Sequence, residues 1–431
     1  MNKINKPKIA VIGLGYVGLP LAIEFAKQYQ TTGFDINFER ISQLQNSLDL
    51  TLEVDSKELD STALTFTNQV IEIRDCDVYI ITVPTPVDKF NNPDLSILES
   101  ASKLVGEIIS ENNIIIYEST VYPGATEEVC VPILEQASGL KYNSDFYCGY
   151  SPERINPGDK KRSLTSITKI TSGSNPEVAK YIDNLYSSIL TDASTHLASS
   201  ISVAEAAKVI ENIQRDVNIA LINELSMIFK KLNIETDEVL KAASTKWNFN
   251  FFTPGLVGGH CIGIDPYYLT HKAIELGYNP EMILAGRKIN ENMPNFIADV
   301  TLSEIAKIGI NPTKAKIAIL GLTFKEDCPD LRNTKVVNIF TKLKKFTETI
   351  VICDPYADSL EAKQKLDIEL VDFENIKKMD VVILAVSHNK YHSIPISHWK
   401  NLLTPNGLII DIKSIYPTEY FSETDFKHWR L

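Results

Sequence analysis

The chain has 431 residues, enough for about three domains at roughly 150 residues each. Its 55 acidic against 43 basic residues give a net charge of −12, a balance that repels phosphate backbones and anionic lipid surfaces, so nucleic acid and membrane are excluded as first partners. With 44% apolar and 23% charged residues, the composition is that of a well-cored globular protein and not of a disordered or fibrous one.

The first 200 residues alternate β-rich runs with helical stretches, and strands are predicted at 8–12, 32–36, 77–83, 113–118, 146–150 and 167–171. The run Val78-Tyr79-Ile80-Ile81 is apolar throughout, the pattern of a strand buried on both faces of a parallel sheet, and a doubly wound α/β domain follows. From Ser202 the pattern changes to helical spacing, with Val203, Ile210, Ile213, Val217, Leu221, Ile228 and Leu232 among the recurring positions. Ser202 with Glu205 reads as a capping box, and so long a helix joins two domains or carries a subunit contact. Further helical segments run to about Gly309, interrupted by the glycine-rich stretch 254–263. A third block opens at Lys314, with strands predicted at 316–320, 349–354, 380–386 and 408–412. Residues 316–322 match residues 8–14 at five of seven positions, which reads either as two related βαβ units or as a chance likeness of two glycine-terminated strands.

Gly13-Leu14-Gly15-Tyr16-Val17-Gly18 follows a strand, opens a helix and is followed by Asp35 twenty residues after Gly15. The glycines allow a tight turn, close approach of a pyrophosphate and close helix packing, while the helix N-terminus attracts the anion. Asp35 would take the adenosine ribose hydroxyls, and its charge would repel a 2′-phosphate, so NAD is expected rather than NADP. Six cysteines lie scattered with no CxxC pair, which argues against a zinc ribbon and a disulfide framework, and no metal is expected. Cys76, Cys130, Cys148, Cys328 and Cys353 read as buried packing. Cys261 differs, because Gly258, Gly259 and Gly263 flank it and would clear access to a thiolate nucleophile, with Asp265 four residues on. His260 is adjacent, but neighbouring side chains in an extended segment diverge.

Glu205, Lys208, Asn212 and Arg215 share one helix face, either as a solvated stripe with a Glu205–Lys208 pair or as a lysine and an amide that hold an alcohol oxygen. Ser119-Thr120 ends a strand at the edge where α/β proteins bind ligands. Ser151-Pro152-Glu153-Arg154-Ile155-Asn156-Pro157-Gly158 does likewise and reads either as functional or as a plain Glu–Arg pair. Phe324-Lys325-Glu326-Asp327 and Asp330-Leu331-Arg332 put two cations after a strand, to meet phosphates or as a surface cluster. The polar N-terminus, residues 1–8, has no apolar signal core, and no 18-residue window is apolar throughout, so a cytoplasmic protein is expected.

In combination these motifs, in this order, resemble the UDP-glucose/GDP-mannose dehydrogenase family along essentially the whole chain. The resemblance implies two Rossmann-like doubly wound domains joined by a long central helix and a helical domain: 1–200 binding NAD, 201–310 forming a homodimer and carrying the cysteine loop, and 311–431 binding a UDP-sugar. It implies two successive oxidations of C6, from alcohol to carboxylate. Cys261 is then the nucleophile, Lys208, Asn212 and Asp265 its polar surround, and Glu153 and Thr120 the residues that handle the water. Gly13, Gly15, Tyr16, Val17, Gly18, Asp35, Arg40, Pro84, Thr85, Ser119, Thr120 and Arg332 fall to the cofactor. Glu153, Arg154, Lys208, Asn212, Arg215, Phe252, Gly255, Gly258, Phe324 and Lys325 fall to the substrate. Arg154 after Glu153, His260 before the cysteine, and Ala385-Val386-Ser387-His388 depart from the UDP-glucose pattern and are similar to the subgroup that acts on UDP-N-acetylhexosamines for surface polysaccharides. The sugar is then UDP-GlcNAc or UDP-GalNAc; UDP-glucose or UDP-ManNAc, a single-step β-hydroxyacid dehydrogenase and a non-catalytic NAD- or nucleotide-sugar-binding module remain the alternatives.

Overall fold

A computed structural model describes residues 6–51, 53–154 and 164–431. The chain folds as two units, one of residues 1–211 with 267–279 and one of residues 212–266 with 280–431.

In the first unit, β1 (Ile9–Ile12), β2 (Thr31–Phe34), β3 (Thr65–Thr67), β4 (Val78–Ile81), β5 (Ile114–Tyr117) and β6 (Tyr147–Tyr150) form one sheet in the order β3-β2-β1-β4-β5-β6. Every pairing is parallel. Ile12 pairs with Ile81, Ile81 with Tyr117 and Tyr117 with Tyr150, so the segments after β1, β4, β5 and β6 leave at a common carboxyl edge. β1, β4 and β5 are buried at every residue, which is why their sequences do not alternate. Ile9, Val11, Ile80 and Ile116 pack against Leu19, Phe25 and Ile182 in one core. The strand predicted at 167–171 is present as β7 (Lys169–Thr171) but outside this sheet, paired with β8 (Thr195–Leu197). The reading missed β3 and β8, since three residues are too few to show a period.

In the second unit, β9 (Ile317–Leu320), β10 (Ile350–Cys353), β11 (Met379–Leu384), β12 (Leu403–Asp411) and β13 (Lys427–Arg430) form a second parallel sheet, in the order β10-β9-β11-β12-β13. Ile317, Ile319, Val381 and Ile383 face one core, while Ala318, Leu320, Val382 and Leu384 face another with Trp399 and Tyr416. Helices therefore cover both faces, as in the first unit. The edge strand β13 reads Lys-His-Trp-Arg, without the apolar run that marks the central strands.

The long helix runs Ile201–Leu232, and the division between units falls within it. Its N-cap corrects the capping-box reading. Ser200 Oγ accepts the Val203 N–H at 3.2 Å, whereas the fully buried Glu205 carboxylate accepts the N–H groups of Gly124 and Thr126. Among the described residues no helix is long and apolar enough to cross a membrane.

Candidate active site

At the carboxyl edge of β1, Gly13 has φ +91° and its N–H reaches Phe34 O at 2.8 Å, turning the chain under the sheet. Gly18 begins the helix Gly18–Ala26; an added Cβ there would lie 1.9 Å from Gly13 O and 2.4 Å from Thr82 Oγ1. Nothing lies within 4 Å of the corresponding position on Gly15. Of the three glycines, one turns the chain, one packs it and one leaves open space. Asp35 accepts the Leu14 N–H on one oxygen and the Asn37 N–H on the other, both at 2.9 Å, which fixes the carboxylate beside the turn. Arg40 holds the same turn through Nε to Leu14 O at 2.9 Å and is paired with buried Asp49 at 2.8 Å. Open backbone at Gly15, a helix N-terminus and an oriented carboxylate fit the pyrophosphate and ribose of NAD.

Three strand ends at this edge are stitched together. Ser119 Oγ donates to Val83 O (2.6 Å), Thr85 Oγ1 to Thr120 O (2.7 Å) and Tyr150 Oη to Ser119 O (3.1 Å). Pro84 is exposed between them, and Tyr16 and Val17 are half-buried at the glycine turn. Glu153, 7% exposed, follows β6. Its carboxylate accepts the backbone N–H of its neighbour Arg154, whose guanidinium Nε meets Glu211 at 2.5 Å, and pairs with buried Lys169 at 2.8 Å. Residues 155–158 of the predicted loop lie outside the described residues.

On the long helix, Lys208 and Asn212 are buried one turn apart, so the solvated stripe and its Glu205–Lys208 pair are not what the face contains. Asn212 Nδ2 donates to Asp265, the buried first residue of the helix Asp265–Glu275. Arg215 points to the exposed side, and its neighbour Asp216 takes the inward position. Asp216 accepts from Arg287 Nη1 at 2.6 Å and Asn290 Nδ2 at 2.8 Å. Asn290 accepts in turn from Asn223, whose amide grips Gly255 from both sides: Gly255 N–H to Oδ1 at 2.8 Å, and Nδ2 to Gly255 O at 3.0 Å. This buried chain of polar groups anchors the stretch that leads to Cys261. Phe252 is half-buried in that stretch.

Cys261 is partly exposed and lies in a turn, not the extended segment expected; its carbonyl accepts the Ile264 and Asp265 N–H groups at 3.0 and 2.9 Å. The turn opens the helix that starts at Asp265, where the field favours negative charge. The glycines serve contact more than access. A Cβ on Gly259, at φ +80°, would meet the Phe324 ring at 2.7 Å, and one on Gly258 would meet Asn333 O at 2.9 Å. His260 stands edge-on to Phe324 and 3.7 Å from Asp330, which Arg332 grips through Nε and Nη2.

The carboxyl edge of the second sheet holds a cavity lined by Gly258, Phe324, Lys325, Lys335, Ser387 and Lys413, with Glu326 beside them. Three lysines line this one cavity, and ammonium groups suit a diphosphate. Lys335 is held by Glu291 at 2.5 Å, and Lys413 Nζ would lie 2.8 Å from a Cβ on Gly255. The sequence reading missed Lys335, Lys413, Lys169 and Glu118. Lys413 was within reach of it, because it follows β12 at the edge where such sheets bind ligands.

Two doubly wound sheets, a dinucleotide cradle on one and a cationic cavity on the other define the class of a nucleotide-handling dehydrogenase. Family models for the UDP-glucose/GDP-mannose dehydrogenases match the NAD binding domain at residues 7–190, the central domain at 202–292 and the UDP binding domain at 318–418. The chain belongs to the UDP-glucose/GDP-mannose dehydrogenase family, and it is an NAD-dependent oxidoreductase. It is 52% identical to Protein CapL of Staphylococcus aureus, across 98% of this chain and 99% of that one. It is 50% identical to the UDP-N-acetyl-D-glucosamine 6-dehydrogenase of Salmonella typhi, across 97% and 99%. Among solved structures, a UDP-D-ManNAc dehydrogenase from Pyrococcus horikoshii superposes with a TM-score of 0.87 at 32% identity, covering 98% of both chains.

Proposed function

We propose that this chain oxidises C6 of UDP-N-acetylglucosamine twice, giving the UDP-N-acetylhexosaminuronic acid used in surface polysaccharides. The observation that carries this reading is the 50% identity, along 97% of the chain, to a UDP-N-acetyl-D-glucosamine 6-dehydrogenase. In the same reading residues 1–200 hold NAD, 201–310 mediate a homodimer and carry the cysteine, 311–431 hold the UDP-sugar, and the enzyme works in the cytoplasm. Bound NAD supplies the hydride acceptor for each oxidation.

The chain's own residues do the rest. Lys208 and Asn212 hold the C6 oxygen between an ammonium and an amide, and Asp265 fixes which way that amide faces. The Cys261 thiolate forms a C–S bond to the C6 aldehyde, and the oxygen takes up a proton to give a thiohemiacetal. Loss of the second hydride from C6 together with the hydroxyl proton, which passes to water, leaves a thioester. Water attacks it, a C–O bond forms as C–S breaks, and Glu153 accepts the water's proton while Thr120 helps place it. The tether keeps the aldehyde from leaving between the two steps.

The test is a panel of UDP-GlcNAc, UDP-GalNAc, UDP-ManNAc, UDP-glucose and GDP-mannose, following reduced nicotinamide. UDP-GlcNAc should turn over fastest, with two NADH formed per uronate. One NADH per product, or preference for another sugar, overturns the assignment.

A further inference from the structure

Beside Glu153 the first unit buries a second carboxylate that the reaction above does not use. Glu118, between β5 and Ser119, is 3% exposed, and Lys169 of β7 is 4% exposed. The Lys169 ammonium donates to Glu118 Oε2 at 2.7 Å and to Glu153 Oε2 at 2.8 Å. Tyr186, on the helix Pro176–Ser187, donates its hydroxyl to the other oxygen of Glu118, and its ring centre lies 5.2 Å from Lys169 Nζ. The other oxygen of Glu153 accepts the Arg154 N–H.

Two carboxylates thus share one ammonium out of water. Fully ionised, the cluster carries one uncompensated negative charge, and binding a single proton relieves it. Among the described residues, the titratable groups that face Glu118 are Lys169 from β7, Glu153 from the segment after β6 and Tyr186 from its helix. Asp183, one turn before Tyr186, is occupied by the Thr171 hydroxyl at 2.7 Å. Burial raises the Glu118 carboxyl, to about 7, against the lowering pull of Lys169 and Tyr186.

We propose that Lys169 and Glu118 form a proton relay that clears Glu153 after each hydrolysis. Glu153, having taken a proton from the water, passes it to the Lys169 nitrogen as an N–H proton of Lys169 moves to Glu118. One O–H and one N–H bond break, and one N–H and one O–H bond form. Lys169 keeps its charge, Glu153 is a carboxylate again, and Glu118, 3% exposed, stores the proton until the reverse transfer through Lys169 returns it to Glu153 and to solvent once the product has left. The inference rests on the assignment of Glu153 to the hydrolytic water.

Glu118 must be ionised to receive, so turnover should fall as pH drops through about 7. The experiment measures kcat against pH with UDP-GlcNAc for wild type and Glu118→Gln, with intact-protein mass reporting the acyl group on Cys261. In Glu118→Gln the limb near neutrality should vanish, kcat at pH 8 should drop about tenfold or more with KM nearly unchanged, and the acyl-enzyme should accumulate. Tyr186→Phe removes a donor that favours the ionised form, so its limb should move to higher pH; this variant carries the test if Glu118→Gln does not fold. Unmoved limbs in the folded variants, or wild-type kcat in Glu118→Gln, overturn the relay while leaving the functional reading intact. A wild type that forms no NADH with any sugar overturns both.

Discussion

A methyl group on Gly18 would stand 1.9 Å from the Gly13 carbonyl, which Thr82 Oγ1 already holds at 2.6 Å, so the backbone itself must move to admit it. Gly18→Ala should cost about 1–3 kcal/mol of stability and weaken NAD as well. Gly15→Ala meets nothing within 4 Å, and should leave the melting temperature of the free protein nearly unchanged while raising the NAD Kd about tenfold or more. Thermal unfolding together with cofactor titration checks the pair; unaltered NAD affinity in Gly15→Ala would sink the cradle. Spacing alone made this motif legible, because it is local. The different duties of its glycines were not, since Thr82 comes to Gly13 across 69 residues. Glu118 and Lys169 stayed hidden for the same reason, 51 residues apart.

At the scale of elements, the long helix reverses the usual amphipathic rule. At 100° per residue, Val203, Ile210, Leu221, Ile228 and Leu232 fall within about 40° of one another, and each is 45–59% exposed. Glu205, Lys208, Asn212, Asp216 and Asn223 centre about 180° away, and each is at most 7% exposed. The apolar periodicity revealed the helix and nearly its ends. It did not reveal which side faces inward, because Val209, Ile213 and Ile222 are also buried and blur the pattern. An apolar stripe of about 43 Å left in solvent is what a second copy of the helix would cover. Each side chain that goes from half-exposed to buried adds roughly 1 kcal/mol, and a symmetric pair counts every one twice. Leu221→Glu puts two carboxylates into that contact and should raise the dimer dissociation constant about a hundredfold or more. Sedimentation velocity over a dilution series reads this; a wild type that is monomeric at micromolar concentration removes the homodimer from the proposal.

Over the whole molecule, the five-in-seven likeness of the two chain ends extends to features that a shared strand pattern does not require. Gly13 and Gly321 turn at φ +91° and +97°; Asp77 and Asp380 accept the N–H groups of Lys8 and Lys316 at 2.8 and 2.9 Å; Asp35 and Asp354 accept those of Leu14 and Leu322. Related units account for this better than two strands that end alike. The units differ at the acid. Asp35 is half-buried, whereas the Asp354 carboxylate is fully enclosed, with His388 Nε2 3.0 Å away and the Thr323 N–H at 2.9 Å. Burial alone would raise the Asp354 carboxyl, but His388 and the two N–H groups outweigh it and hold it down to about 2, from 3.8. A lowered native pKa stabilises fully above the unfolded value and is lost as pH falls through the native one. Asp354 should therefore contribute about 2 kcal/mol at pH 7, a contribution that declines below pH 4 and is largely gone near pH 2. Asp354→Asn should show this as a stability deficit at neutral pH that closes under acid, read from denaturant unfolding of both proteins across that range. A gap that stays constant from pH 7 to pH 2 would mean that the enclosed carboxylate is held by shape and not by charge.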